Sequence, residues 1–206
     1  MAVAVQTSDL HIVAGDGESI LSLAPLQGLW TEEQYLRLTD STNRRIEFTN
    51  GRMEVLPVPS IEHEGIVRFL FLALYGLMQP MGGTVFFAGV RLQIRPEKYR
   101  YPDILLLLDA NDPRRKGRRY WQWADLVMEV ISPDDPERDT KTKRADYAEA
   151  GVPEYWIVNP EDETITVLRL AGAGYVEHGV FQRGDTATSA LLPGFAVAVN
   201  DVLDAH

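Results

Sequence analysis

Two stretches of this chain carry aliphatic side chains without the alternation expected of a strand that faces water: residues 101–109, YPDILLLLD, and residues 125–132, DLVMEVIS. Runs of that kind predict strands in the middle of a sheet, covered on both faces. Residues 84–94, TVFFAGVRLQI, predict a longer strand whose second half sets Val90, Leu92 and Ile94 against Arg91, Gln93 and Arg95, one buried face and one wet. A turn follows at 96–98. Another buried strand is predicted at 155–159 (YWIVN), and antiparallel strands at 164–170, 175–181 and 194–199. Thr31-Glu32-Glu33-Gln34 is a capping box that starts a helix running to about residue 39. Ser60 caps a second helix to about residue 78, with Glu62 and Glu64 in the first turn, where the helix dipole favours negative charge. A third, residues 139–150, stops at Gly151 with Pro153 just after. Between the first two lies RRIEFTNGRMEVLPV, a hairpin turning at Asn50-Gly51. The order predicts an α/β (α+β) domain over residues 29–206: a mixed central sheet flanked by helices, with extra antiparallel hairpins. Residues 1–28 are weakly patterned and read as an N-terminal arm, either flexible or forming an extra edge strand.

Composition narrows the chemistry. A chain of 206 residues, 45% hydrophobic, is long enough for one well-buried domain and short for two. The absence of cysteine excludes disulfides, thiolate zinc sites and cysteine nucleophiles. No apolar run reaches the roughly 18 residues of a membrane span, and no Lys or Arg precedes Arg37, so a secretory leader is not expected. The expectation is a soluble cytoplasmic protein. The net charge of −10 is unevenly placed: residues 91–144 hold 13 of the 20 basic residues and 10 of the 30 acidic ones, a local +3. A polyanion repelled by the whole chain can still be collected at that one segment.

The same segment holds the two acids that break the aliphatic runs, Asp103 and Glu129. An ionised carboxylate in such surroundings is costly unless it is paired or holds a metal. Phosphodiester hydrolysis needs an activated water, neutralised non-bridging oxygens and help for the leaving oxygen. Mg²⁺ or Mn²⁺ supplies these from one or two carboxylates, waters and the substrate phosphate. Asp103, Glu129 and the carbonyl of Val130 fit that ligand set if their strands are neighbours. Lys143, on the following helix, can reach across to orient the water and stabilise developing charge.

The arrangement resembles the PD-(D/E)XK nuclease superfamily, and more closely its Uma-type family of restriction endonucleases. Pro102-Asp103 matches the PD element and Glu129, in EVISP, the acidic residue. The helix then carries Asp139, Lys143 and Tyr147, followed by Gly151-Val152 and Glu154-Tyr155-Trp156. Upstream, Glu47, Gly51 and His63 also match, and the likeness covers about residues 30–200. It departs from the superfamily at the lysine position two after Glu129, which is Ile131. The resemblance therefore implies that the lysine has moved to the helix as Lys143. It implies a restriction-endonuclease-like fold and a metal-dependent endonuclease acting on nucleic acid, DNA rather than RNA.

Each candidate also has a structural reading. Asp103 can simply accept backbone hydrogen bonds at a strand start, and Asp139 with Lys143 can be a surface i,i+4 ion pair. Tyr147 can be a packed core residue, Glu47 a partner of Arg44 or Arg45, and His63 a structural first-turn residue. The loop carrying Arg114, Arg115, Lys116, Arg118 and Arg119, with Tyr120, Trp121 and Trp123 after it, suits phosphate neutralisation and base stacking. It suits a solvated loop fastened by its tryptophans equally well. Two other functions compete: a non-catalytic interaction module on a nuclease-like fold, and a glycosidase using the two acids. A homodimer is expected because Phe69, Phe71, Leu72 and Tyr75 cannot share one face of a helix.

Overall fold

Asn50 and Gly51 both take positive φ, 47° and 79°, the geometry of the tight turn that joins two strands whose twist it must match. The computed structural model describes all residues except 1–10, 14–18, 88, 115–118, 133–136 and 206. In chain order the strands are β1 (His11–Val13), β2 (Ser19–Ser22), β3 (Ile46–Thr49), β4 (Arg52–Val55), β5 (Thr84–Phe87), β6 (Leu92–Arg95) and β7 (Lys98–Arg100). They continue as β8 (Ile104–Leu107), β9 (Leu126–Val130), β10 (Glu154–Asn159), β11 (Thr164–Ala171), β12 (Gly174–Gln182), β13 (Thr186–Thr188) and β14 (Ala196–Ala198). The α-helices are α1 (Glu32–Asp40), α2 (Ile61–Met78), α3 (Arg144–Glu149) and α4 (Val199–Leu203).

The central sheet has six strands in the order β12-β11-β10-β9-β8-β5. It is mixed: β9 and β10 run parallel, while the other neighbours are antiparallel. One face is covered by Ile66, Val67, Leu70, Leu74 and Met78 of α2, with Val199, Val202 and Leu203 of α4. The other is covered by Tyr147 of α3 and by Leu92 and Ile94 of β6, together with Trp121. That double cover is the reason β8 and β9 show no alternation: every residue of both strands is buried. A second sheet, β4-β3-β7-β6, packs Phe48 and Met53 against Tyr35 and Leu36 of α1. The capping box of α1 is formed as the sequence predicts, with Thr31 accepting from the Gln34 amide and the Gln34 side chain accepting from Thr31 N.

Several expectations need correction. Residues 84–94 are two strands: β5 ends the six-stranded sheet and β6 joins the other. The wet face expected of the second half is also mostly buried. Arg91 donates to Thr39 and Asp40, and Gln93 to Tyr99, so the polar groups find partners inside the protein and not in water. The helix predicted over 139–150 begins as a π-helical segment, Arg138–Lys143, before α3 takes over. The strand predicted at 194–199 is only β14, paired with the unforeseen β13, and Val199 already belongs to α4. In the N-terminal arm, β1 and β2 form a two-stranded hairpin.

Candidate active site

Antiparallel pairing of β8 with β9 sets Ile104 opposite Met128 and Leu105 opposite Val127. Continuing that register by one step brings Asp103, just before β8, opposite Glu129. Directly opposed residues of an antiparallel pair point to the same side, so the two carboxylates share one face by topology. The Val130 amide, next to Glu129, donates to Asp103 Oδ2 at 3.0 Å. The reading of Asp103 as a plain acceptor at a strand start is therefore partly right: it has that bond and two more. Arg45 Nη1 lies 3.3 Å from Oδ1, and His63 Nε2 lies 3.0 Å from Oδ2.

Lys143 enters from the π-helical segment. Its ammonium is 2.9 Å from Glu129 Oε1, 3.0 Å from Asp139 Oδ1 and 3.8 Å from Glu47 Oε1. With Asp139 and Lys143 only 3% and 4% exposed, this pair is not a surface ion pair. Side chains four apart share a face in any helical winding, and the π-helical turn itself is a distortion common at functional sites. Tyr147, one turn on, is fully buried, and its hydroxyl donates to Glu129 Oε1. Glu47 pairs with neither Arg44 nor Arg45. Instead it accepts from the Tyr101 amide and lies 3.5 Å from Arg100, which is itself held by Asp146. The structure thus brings Asp103, Glu129, Lys143, Asp139, Tyr147, Glu47 and His63 into one buried cluster.

Electrostatics separates the acids. Burial alone would raise the Asp103 carboxyl, but the His63 hydrogen bond and charge, with Lys143, hold it down to about 2. Burial pushes Glu129 well above the usual carboxylate range, with the Lys143 ammonium opposing and the Asp103 charge adding to the rise. Asp139 is raised too, chiefly by burial. Lys143 is held above its ordinary value, because the surrounding carboxylates outweigh its desolvation. Two acids on facing strands with pKa values pushed apart are a common mark of sites that do acid and base chemistry.

Whether a divalent cation suits this donor set can be read from the cluster itself. His63 Nδ1 is buried without a hydrogen-bond partner and Asp139 Oδ1 has the Lys143 ammonium at 3.0 Å, and both residues line the cavity above Asp103 and Glu129. Among the described residues no group of three His, Asp or Glu side chains is placed to hold a metal ion, so a cation here would rest on two carboxylates with a backbone carbonyl and water. Hard oxygen donors from two carboxylates, with room for water, are what Mg²⁺ takes, since it keeps several of its own waters.

Of the basic loop, Arg115, Lys116 and Arg118 lie outside the described residues. Arg114 binds Asp112 at 2.5 Å and sits 4.0 Å over the Trp123 ring. Arg119 binds Asp40 at 2.7 Å, with Glu33 at 3.5 Å. Arg45 was missed as a site residue, although strand period would have found it: two before Glu47, it shares that residue's side of the chain. Glu154 also resolves. It accepts from Trp156, Ser189 and the amides of Ala190 and Leu191, so it fastens the C-terminal loop and lies outside the cluster.

A family described as Uma2, putative restriction endonuclease, matches residues 32–200. A putative nuclease belonging to DUF820 from Anabaena variabilis ATCC 29413 superposes with a TM-score of 0.68, at 20% identity, over 84% of this chain and 97% of its own. A formamidopyrimidine-DNA glycosylase from Photobacterium damsela subsp. piscicida is 31% identical over 118 residues, 50% of this chain. The chain spans 44% of that relative's length.

Proposed function

The chain belongs to the Uma2 family of putative restriction endonucleases, and from that membership we propose that it is a divalent-metal-dependent endonuclease that hydrolyses phosphodiester bonds of DNA. One observation carries the reading: the β8–β9 register, extended by one step, sets Asp103 opposite Glu129, with the Lys143 ammonium 2.9 Å from Glu129. The relative named as a DNA glycosylase supports DNA over RNA.

Asp103, Glu129 and the Val130 carbonyl would hold Mg²⁺ or Mn²⁺, which supplies charge neutralisation and a more acidic water. The chain's own residues do the rest. Arg45 and His63 orient the Asp103 carboxylate, and the Tyr147 hydroxyl orients that of Glu129. Asp139 and Glu47 keep Lys143 charged and aimed into the site, where its ammonium steadies the attacking water and the charge growing on the phosphoryl oxygens. The cavity walls limit bulk water, which strengthens each of these interactions.

The test is cleavage of supercoiled plasmid and of single-stranded DNA in Mg²⁺ or Mn²⁺, with an EDTA control and the Asp103→Asn variant. Cleavage that requires metal and Asp103 supports the reading. DNA binding without cleavage by the parent protein would return the chain to the interaction-module reading.

We infer further that the protein is a homodimer. The outer face of α2 leaves Leu72 58% and Tyr75 46% exposed, with Met81 and Phe87 beside them. The Phe71 ring lies 5.7 Å from Tyr75 and 4.6 Å from Phe87, joining helix and strand in one apolar patch. Beside it β5, TVFF, is an edge strand with no charged residue to discourage pairing. Helix face and bare edge together suit a two-fold contact. Light scattering should give about twice the 23.1 kDa of one chain; a mass of one chain at micromolar concentration sinks the dimer. Among the described residues no helix is long and apolar enough to cross a membrane.

A further inference from the structure

A second hollow opens beside the ion cluster, a cleft of about 550 Å³, within the size range of pockets that hold small ligands. It shares Pro57, Pro59, His63 and Ser132 with the cavity of about 20 Å³ over Asp103 and Glu129, so the two adjoin across a common wall. Their chemistry differs sharply. The deep cavity is lined by Arg45, Arg138 and Lys143 beside its acids. The cleft has no Lys or Arg among its described lining residues and carries two carboxylates instead, Glu62 and Glu161. The rest of its wall mixes apolar Pro57, Val58, Pro59, Ile131 and Pro160 with polar Ser60, His63 and Ser132, and Val58 is 78% exposed.

Resting on the endonuclease reading, we propose that the cleft seats one unpaired nucleobase of the nucleotide whose phosphate is cleaved, so that the substrate class is single-stranded or locally unpaired DNA. A phosphate is disfavoured in a place with two carboxylates and, among its described lining residues, no cation. A flat heterocycle fits: proline and aliphatic side chains pack against its faces, and a carboxylate, which only accepts, pairs with exocyclic amines and ring N–H groups on its edge. Glu62 and Glu161 therefore favour adenine, cytosine or guanine. Because the two hollows adjoin, a phosphate at the mouth of the deep cavity, beside its cations, leaves its own base next door in the cleft. In a stacked duplex the base edge points away from its own backbone into its partner, so a paired nucleotide cannot fill both places. A base already unpaired enters without the unstacking cost.

Fluorescence anisotropy in EDTA on a labelled single-stranded 12-mer, with a central adenine or a central abasic residue, reads the seat without any cleavage. Adenine is expected to bind about tenfold more tightly than the abasic residue, one base contact's worth. Replacing the exposed Glu62 and Glu161 by Ala should shrink that ratio. In Mg²⁺, a duplex with one bulged adenine should be cut about tenfold faster than the perfect duplex. Equal binding of adenine and abasic strands overturns the base seat, and so does equal cutting of bulged and perfect duplexes. If nothing is cut but adenine still binds more tightly, the seat stands and the endonuclease reading falls.

Discussion

Replacing Lys143 by Met is expected to reduce cleavage by a factor on the order of 10²–10³ or more and to cost the fold about 3–5 kcal/mol. The first effect follows from removing the ammonium that lies against Glu129 and Asp139. The second follows from what is left behind. Glu129 is 1% exposed and Asp139 3%, and both rely on Lys143 for their nearest positive charge. Methionine fills the space of the stem but compensates neither carboxylate, so each must protonate or stay ionised in an apolar setting. The loss should therefore deepen between pH 5 and pH 8, measured by urea unfolding. Lys143→Arg separates the roles. It restores the charge, so stability should largely return, while the altered reach and shape of the guanidinium keep cleavage low. A Lys143→Met protein as stable as its parent at pH 8 would mean that the two acids are neutralised by something other than this ammonium.

Glu129→Gln should abolish cleavage and flatten the loss of stability toward neutral pH. Glu129 is raised in the folded state, so folding favours its protonated form. Stability from this group is therefore present at acid pH and declines as pH rises from the ordinary value of 4.5 toward the raised one. Glutamine never ionises, so that part of the decline vanishes, and the slope that remains belongs to Asp139, raised by burial in the same way. Asp103 has the opposite sign. Held down to about 2, it gives stability that is present above 3.8 and lost as pH falls through that window, about 2 kcal/mol in all. The parent should thus be most stable in mildly acid solution, and Glu129→Gln should move that optimum upward. Denaturant midpoints from pH 3 to pH 8 read both arms. A variant declining as steeply as the parent above pH 5 would remove Glu129 as the source.

Several parts of this protein follow from local chemistry along the chain. Unbroken aliphatic runs meant strands covered twice, because a residue that meets water on one face would have to be polar there. Asn50-Gly51 meant a tight hairpin, because few other pairs accept positive φ at both positions. Thr31 and Ser60 meant helix starts, because their oxygens satisfy amides that the first turn leaves free. Asp103, Glu129 and Lys143 stood out because charge in an aliphatic run is expensive, and expense needs a reason.

Tertiary structure decided which charges compensate which. Strand period puts Arg45 and Glu47 on one side of the chain, but only the packing of the two sheets decides that Arg45 turns to Asp103 while Glu47 turns to Arg100 and Lys143. Residues 84–94 read as one strand because pairing partners, absent from the local pattern, are what split it between two sheets. Arg91 and Gln93 looked wet because period alone cannot tell water from Asp40 and Tyr99. The i,i+4 spacing of Asp139 and Lys143 put them on one face, but only the packed fold turns that face inward onto Glu129, and the π-helical start over Arg138–Lys143 has no sequence signal.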